Sequence, residues 1–195
     1  MAEHVMPPTV VSQAYSRPAV FLHWIIAALV VLAYTAMLVR GPKGTDARVM
    51  WNTVHYCAGA LVLTLAVFRV LWRLWRGTPP EIEASRALTF LARLAHLALY
   101  VFIFVQPLLG VLMLNSSGFP LVVPGIDLHI QLVSKDPLAR KVIHDIHILI
   151  GNAFYWIIGL HALAALVHHL LFKDDTLRRM TGRTGTSRAR SGISN

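Results

Sequence analysis

Charge is scarce in this 195-residue sequence. Asp, Glu, Lys and Arg make up 14% of it, with nine acids against eighteen bases, far below the makeup of a water-soluble domain of this size. With 56% hydrophobic residues and a mean hydropathy of +0.59, the chain is excluded from the ordinary soluble enzymes and from intrinsic disorder. Cysteine is nearly missing: Cys57 stands alone, so no disulfide scaffold can form. No short period suggests a fibre. One class remains, an integral membrane protein, and its length suits one small bundle.

Four stretches are apolar over the roughly 20 residues that a hydrocarbon core of about 30 Å demands, since lipid leaves backbone polar groups no partner outside the helix. They are Ala19–Val39, Met50–Trp72, Phe90–Leu114 and a last run embedded over Ile148–Phe172, with helix starting near Leu138 because Pro137 suits a first turn. Breaks are expected at Gly41-Pro42, Gly77-Thr78-Pro79-Pro80 and Ser116-Ser117-Gly118-Phe119-Pro120. The fold class is therefore all-α, a four-helix transmembrane bundle. Ala19–Val39 is longer than a secretory signal core and no small-x-small cleavage site follows, so it reads as an uncleaved first span.

Lys and Arg set the direction. One side collects Arg17, Arg69, Arg73, Arg76, Arg86, Arg93, Lys173, Arg178, Arg179, Arg183, Arg188 and Arg190, twelve in all, and the other collects six: Arg40, Lys43, Arg48, Lys135, Arg140 and Lys141. Both termini are expected in the cytoplasm. Topology then accounts for most of the +9 net charge, and no nucleic-acid partner is called for. Residues 1–180 read as one membrane domain. Residues 181–195, rich in Gly, Ser, Thr and Arg, read as a disordered basic tail on the cytoplasmic side.

Ionisable residues are costly in lipid and point to function, and here they are histidines. His23 lies in the first span, His55 in the second, His96 in the third, and His147, His161, His168 and His169 along the fourth. A single buried histidine is more often a hydrogen-bonded core group than a ligand. Depth and facing separate the members of this cluster. With both termini inside, His23 and His161 lie near the inner end, while His55 and His147 lie near the outer one. His147 and His161 are 14 residues apart, about 21 Å along a helix, and those steps of about 100° return them to within about 40° of one face. His144 falls roughly 100° away from His161 and is ranked on the outer surface. His168, seven residues past His161, shares its face and competes at the inner end.

Two stacked imidazole pairs are too few ligands for zinc, which wants four. Haem iron draws four ligands from its porphyrin and needs two axial imidazoles, which facing helices supply. No C-x-x-C-H occurs, so such haem is non-covalent and b-type. Small residues stand four positions after each chosen histidine (Ala27, Gly59, Gly151 and Ala165), whereas Tyr100, Ile148 and Phe172 follow His96, His144 and His168. Small residues are also common wherever membrane helices touch.

At these residues the chain resembles the bacterial cytochrome b561 family of small dihaem proteins of the inner membrane. The likeness is carried by Phe21-Leu22-His23-Trp24, by Val54-His55-Tyr56-Cys57-Ala58-Gly59, and by Ala95-His96-Leu97 with Gln106-Pro107-Leu108-Leu109-Gly110. Gly159-Leu160-His161 through His168-His169 and Phe172-Lys173-Asp174-Asp175-Thr176-Leu177 complete it, over about Arg17 to Met180. The resemblance implies two non-covalent, bis-His haem b groups with axial ligands His23, His55, His147 and His161. It further implies a multi-pass protein of the bacterial inner membrane, ubiquinone as electron partner and, for some members, superoxide oxidation coupled to quinone reduction.

Haem propionates are anions that cationic side chains near the membrane surface can hold. Arg17, Arg69 and Arg73 qualify at the inner side, and Arg48, Arg140 and Lys141 at the outer side; Arg69 fits snorkelling equally well. His96, His168 and His169 form a candidate quinone site and fit inter-helix hydrogen bonding as well. Three functions compete. The first is an independent oxidoreductase exchanging electrons between the outer face and the quinone pool, with superoxide as the donor to test first. The second is a membrane cytochrome b anchor relaying electrons for a soluble redox partner, a dehydrogenase or hydrogenase. The third is a haem-free channel or metal transporter, against which the lack of acidic residues in the spans counts.

Overall fold

Caps and turn residues decide where each helix starts and stops. The computed structural model describes residues 14–79, 85–123 and 128–181, and its frame is four long helices. α1 runs Arg17–Val39 behind Ser16, with Pro18 in its first turn, where a missing N–H costs nothing. α2 runs Asp46–Arg76: the Thr45 hydroxyl accepts from Arg48 N at 3.3 Å, Asp46 occupies the first turn, and Arg73 and Arg76 the last, each charge complementing the helix dipole. Gly77, at φ 72°, closes α2 by donating its N–H to the Arg73 carbonyl at 2.9 Å. α3 is Arg86–Ser116, capped by Ser85. α4 is Pro137–Val167, capped by the Asp136 carboxylate, which accepts from Leu138 N and Ala139 N.

The four helices are long and apolar enough to cross a membrane, as the four apolar runs predict. They overrun those runs by several residues at the capped and basic ends, because the helix ladder continues beyond the apolar stretch. Three local features were not anticipated. α4 passes into a π-helical turn, His168–Phe172, ended by Lys173 at φ 53°, and a short α5 follows at Thr176–Arg179. Between α3 and α4 an antiparallel hairpin forms, β1 (Leu121–Val123) against β2 (Leu128–Ile130), with Leu121 opposite Ile130. Beyond Thr181 the basic tail lies outside the described residues.

Among the described residues α1 packs closely on α2 and α3 on α4, with α2 also meeting α3. α4 makes its close helix contacts with α3, so the α1–α2 pair and α4 communicate through side chains. Tyr34 on α1 is one such bridge, donating its hydroxyl to the Gly151 carbonyl of α4 at 2.7 Å. Few of the described side chains are buried, Ile26, Ala36, Ala58, Val62, Ala66 and Phe154 among them. The outward faces carry Leu38, Leu74, Trp156 and other large apolar groups that water would not tolerate in such number and that lipid accepts.

Each end of the bundle is tied. At the loop end, the fully buried Asn115 donates to the carbonyls of Phe119 and Ile130 and accepts from Leu132 N at 2.7 Å, fastening the hairpin to the end of α3. At the end where both termini emerge, Trp24 donates to the Met180 carbonyl at 2.7 Å, Trp72 to Ser16 Oγ at 2.8 Å, and Arg69 to the Ala19 carbonyl at 2.6 Å.

Candidate functional site

Two pairs of imidazoles face each other across the gap between the helix pairs, one near each end. Near the loop end His55 of α2 meets His147 of α4, ring centroids 6.2 Å apart and planes at 78°. Near the terminal end His23 of α1 meets His161 of α4 at 6.5 Å and 76°. Helical geometry produces this: each partner lies on the inward face of its own helix, and the 14 residues between His147 and His161 return to nearly the same face.

These separations test whether iron porphyrin suits the residues present. A metal–imidazole bond of about 2.0 Å, added on each side to the distance from ring nitrogen to ring centre, places two axial rings roughly 6 Å apart. Both pairs stand at that separation, too far for an imidazole–imidazole hydrogen bond. Nδ1 of His55 lies 2.9 Å from the Ala33 carbonyl; donating there, it leaves Nε2 as the free lone pair, the tautomer a metal ligand needs. Nδ1 of His147 is buried with no hydrogen-bond partner. A Cβ at Gly110 would stand at ordinary contact distance, 3.6 Å, from the His147 ring, so α3 runs close beside this imidazole. The residues fit haem. Among the described residues no cluster of three or more His, Cys, Asp or Glu suits a bare metal ion.

The other expected site residues are dispersed. His96 of α3 lies against His161, centroids 5.7 Å apart, and so stands beside the terminal-end pair. His168 sits in the π-helical turn, with Nδ1 2.5 Å from the Asp174 carboxylate and its ring edge-on to Phe172. His169 faces a surface cavity with Leu177, Arg178 and Thr181. The three candidate quinone-site histidines thus fall in two places, the exposed His96 on α3 beside His161 and the half-buried His168 and His169 at the end of α4. Arg17 is exposed at the start of α1. Arg69 is committed to the Ala19 carbonyl and Arg73 to the Tyr100 hydroxyl at 3.2 Å. At the loop end Arg48 binds the Gly41 carbonyl, Arg140 binds Ser117 Oγ, and Lys141 pairs with Asp145. His144 is exposed, 3.2 Å from the same Asp145.

Sequence reasoning did not single out Tyr34 or Asn115, and it noted Gln106 only as part of the Gln106–Gly110 segment. Gln106 donates Nε2 to the His147 carbonyl at 2.7 Å. Gly151 makes room for this amide, because a Cβ there would sit 2.9 Å from Gln106 Nε2. Polar groups inside apolar helices were the available signal.

Four spans and paired histidines at two depths are the mark of a membrane cytochrome b, and the family model for prokaryotic cytochrome b561 matches residues 14–183. The chain belongs to the prokaryotic cytochrome b561 family. Among its relatives, the probable superoxide oxidase CybB of Yersinia pestis is 31% identical over 172 residues, covering 85% of this chain and 94% of that protein. Cytochrome b561 homolog 1 of Escherichia coli (strain K12) is 33% identical over 172 residues, with 87% and 97% covered. Homolog 2 of the same strain is 32% identical over 135 residues, with 68% and 71% covered. This cytochrome is accordingly a multi-pass membrane protein of electron transfer, and its family implies b-type haem.

Proposed function

We propose that this cytochrome holds two haem b groups, His55 with His147 and His23 with His161, and carries single electrons between a donor at the loop end and ubiquinone at the terminal end. The observation that carries this reading is the pair of inter-helix imidazole couples at iron-bridging separation, 6.2 and 6.5 Å. When bound, each haem supplies one-electron chemistry, and two axial imidazoles leave no open position for oxygen. What the chain adds is placement: two levels about 21 Å apart along α4 divide the bilayer into shorter electron jumps.

Superoxide is the donor this reading favours. It is an anion, the loop end carries Arg40, Lys43, Arg48, Lys135, Arg140 and Lys141, and a relative covered almost end to end is named a probable superoxide oxidase. Field from such a patch raises the encounter rate of a small anion. At the terminal end His168 and Asp174 form an imidazole–carboxylate couple beside His169, suited to binding a quinone carbonyl and passing the protons its reduction consumes. The twelve basic residues counted to that side in the sequence support a cytoplasmic terminal end, and membership of a prokaryotic membrane cytochrome family supports a seat in the bacterial inner membrane.

Purified protein is expected to show a Soret band and two haems per chain. His55→Ala or His147→Ala removes the loop-end haem, and His23→Ala or His161→Ala the other, as read by haem content. Exposure to superoxide reduces the haem, and ubiquinone reoxidises it. Colourless protein sinks the proposal, and a haem that responds only in the presence of a soluble dehydrogenase replaces the oxidase with the anchor subunit.

A further inference from the structure

Resting on the bis-His reading of the loop-end pair, one residue outside the four histidines is placed to act on that centre. The two imidazoles of this pair are supported unequally. Nδ1 of His55 has the Ala33 carbonyl at 2.9 Å. Nδ1 of His147 is buried and has no hydrogen-bond partner, and in the same interior Oε1 of Gln106 is also buried without one. These orphan atoms belong to residues that already touch: Gln106 Nε2 donates to the His147 carbonyl at 2.7 Å. The amide is held in place by close packing. Gly151 admits it, since a Cβ there would lie 2.9 Å from Nε2, and Pro107 follows it within α3.

An imidazole that ligates iron through Nε2 carries a proton on Nδ1, and a buried N–H needs an acceptor. A histidine N–H that donates to a nearby oxygen becomes a stronger electron donor toward its metal, which favours the oxidised state. We propose that Gln106 is a positioning residue for His147: its Nε2 fixes the backbone of the ligand, and its side-chain Oε1, the unpartnered acceptor in the same interior, accepts the hydrogen bond from the proton that His147 Nδ1 carries once the ring ligates iron. Gln106 thereby sets the reduction potential of the loop-end centre below the value His147 would confer unaided, with no effect on the terminal-end centre.

Full-length protein in detergent tests this by potentiometric titration of the haem bands and by electron paramagnetic resonance of the oxidised low-spin centres. His147→Ala, run alongside, identifies the loop-end signal. Gln106→Leu is expected to raise the midpoint potential of that centre and shift its low-spin g values, leaving the other centre unmoved. Gln106→Glu keeps an acceptor oxygen and is expected to return the potential to the wild-type value or below it. Should Gln106→Leu fail to fold, Gly151→Ala displaces the same amide and is expected to shift the potential in the same direction. If His147→Ala removes the loop-end haem while every Gln106 and Gly151 variant keeps its potential and g values, the role of Gln106 is overturned alone. If His147→Ala removes no haem, the ligand reading falls and this inference falls with it.

Discussion

Asn115 shows how much a single side chain settles in this bundle. It is wholly buried at the end of α3, and all its amide atoms are engaged by backbone groups of the following loop. Replacing it with Ala leaves two carbonyls and one N–H without partners where water has poor access. Asn115→Ala is therefore expected to lower stability by on the order of 3 kcal/mol, seen as a lower thermal midpoint in detergent and as protease sensitivity in the β1–β2 hairpin. Tyr34 is a milder case. Its hydroxyl is a tether from α1 to α4, at the Gly151 carbonyl, and Tyr34→Phe is expected to cost about 1 kcal/mol, with haem content retained. Equal midpoints for the two variants would contradict the ranking. The four paired histidines were legible from spacing, because a helix converts residue number into depth and angle. Tyr34, Asn115 and the amide of Gln106 were not, since their partners are backbone atoms 117, 4 to 17 and 41 residues away in sequence, about which composition says nothing.

Among the elements, the end of α4 behaves differently from the rest. The π-helical turn at His168–Phe172 widens the helix, and Lys173 in the left-handed region turns the chain so that Asp174 folds back on His168. Partial burial alone would raise the Asp174 carboxyl, but hydrogen bonds from Thr176 and His168 outweigh it and hold the carboxyl below its ordinary range. A carboxyl depressed by folding contributes stability that is complete above the unfolded carboxylate range and is lost as pH falls through the folded value. The α5 segment is thus expected to loosen at acidic pH. Hydrogen exchange over 168–179 should rise as the pH is lowered through that range in the wild type, and be fast at all pH values in Asp174→Asn. Exchange that ignores pH in the wild type contradicts the coupling. Helix bounds were readable where turn residues stand in sequence, at Gly77, at Ser116-Ser117-Gly118 and at Pro137, whereas the caps Thr45 and Ser85 start α2 and α3 several residues before the apolar runs begin. The π-turn and the hairpin were not readable, because neither carries a periodicity distinct from helix or loop in so few residues.

For the whole molecule, direction in the membrane is the property that charge alone predicts, with twelve basic residues at the terminal end and six at the loop end. In a Cys57→Ala background, Ser187→Cys is expected to react with an impermeant maleimide only after the cells are opened, and Lys43→Cys in intact spheroplasts; the reverse pattern would invert the bundle. The number of spans, their membrane-crossing length and the two depths at which histidines recur were determined by the sequence itself. Each follows from a local rule, apolar length or helical repeat, that needs no knowledge of neighbours. Only tertiary structure decided which helices pack closely, that the imidazoles of α1 and α2 face α4 at an iron-bridging distance, that His96 stands beside the terminal-end pair while His168 turns to Asp174, and that Arg69 binds the Ala19 carbonyl. Those outcomes depend on how rigid helices share one interior, where a ring or an amide takes whichever partner lies within about 3 Å, and distance between helices is not written along the chain.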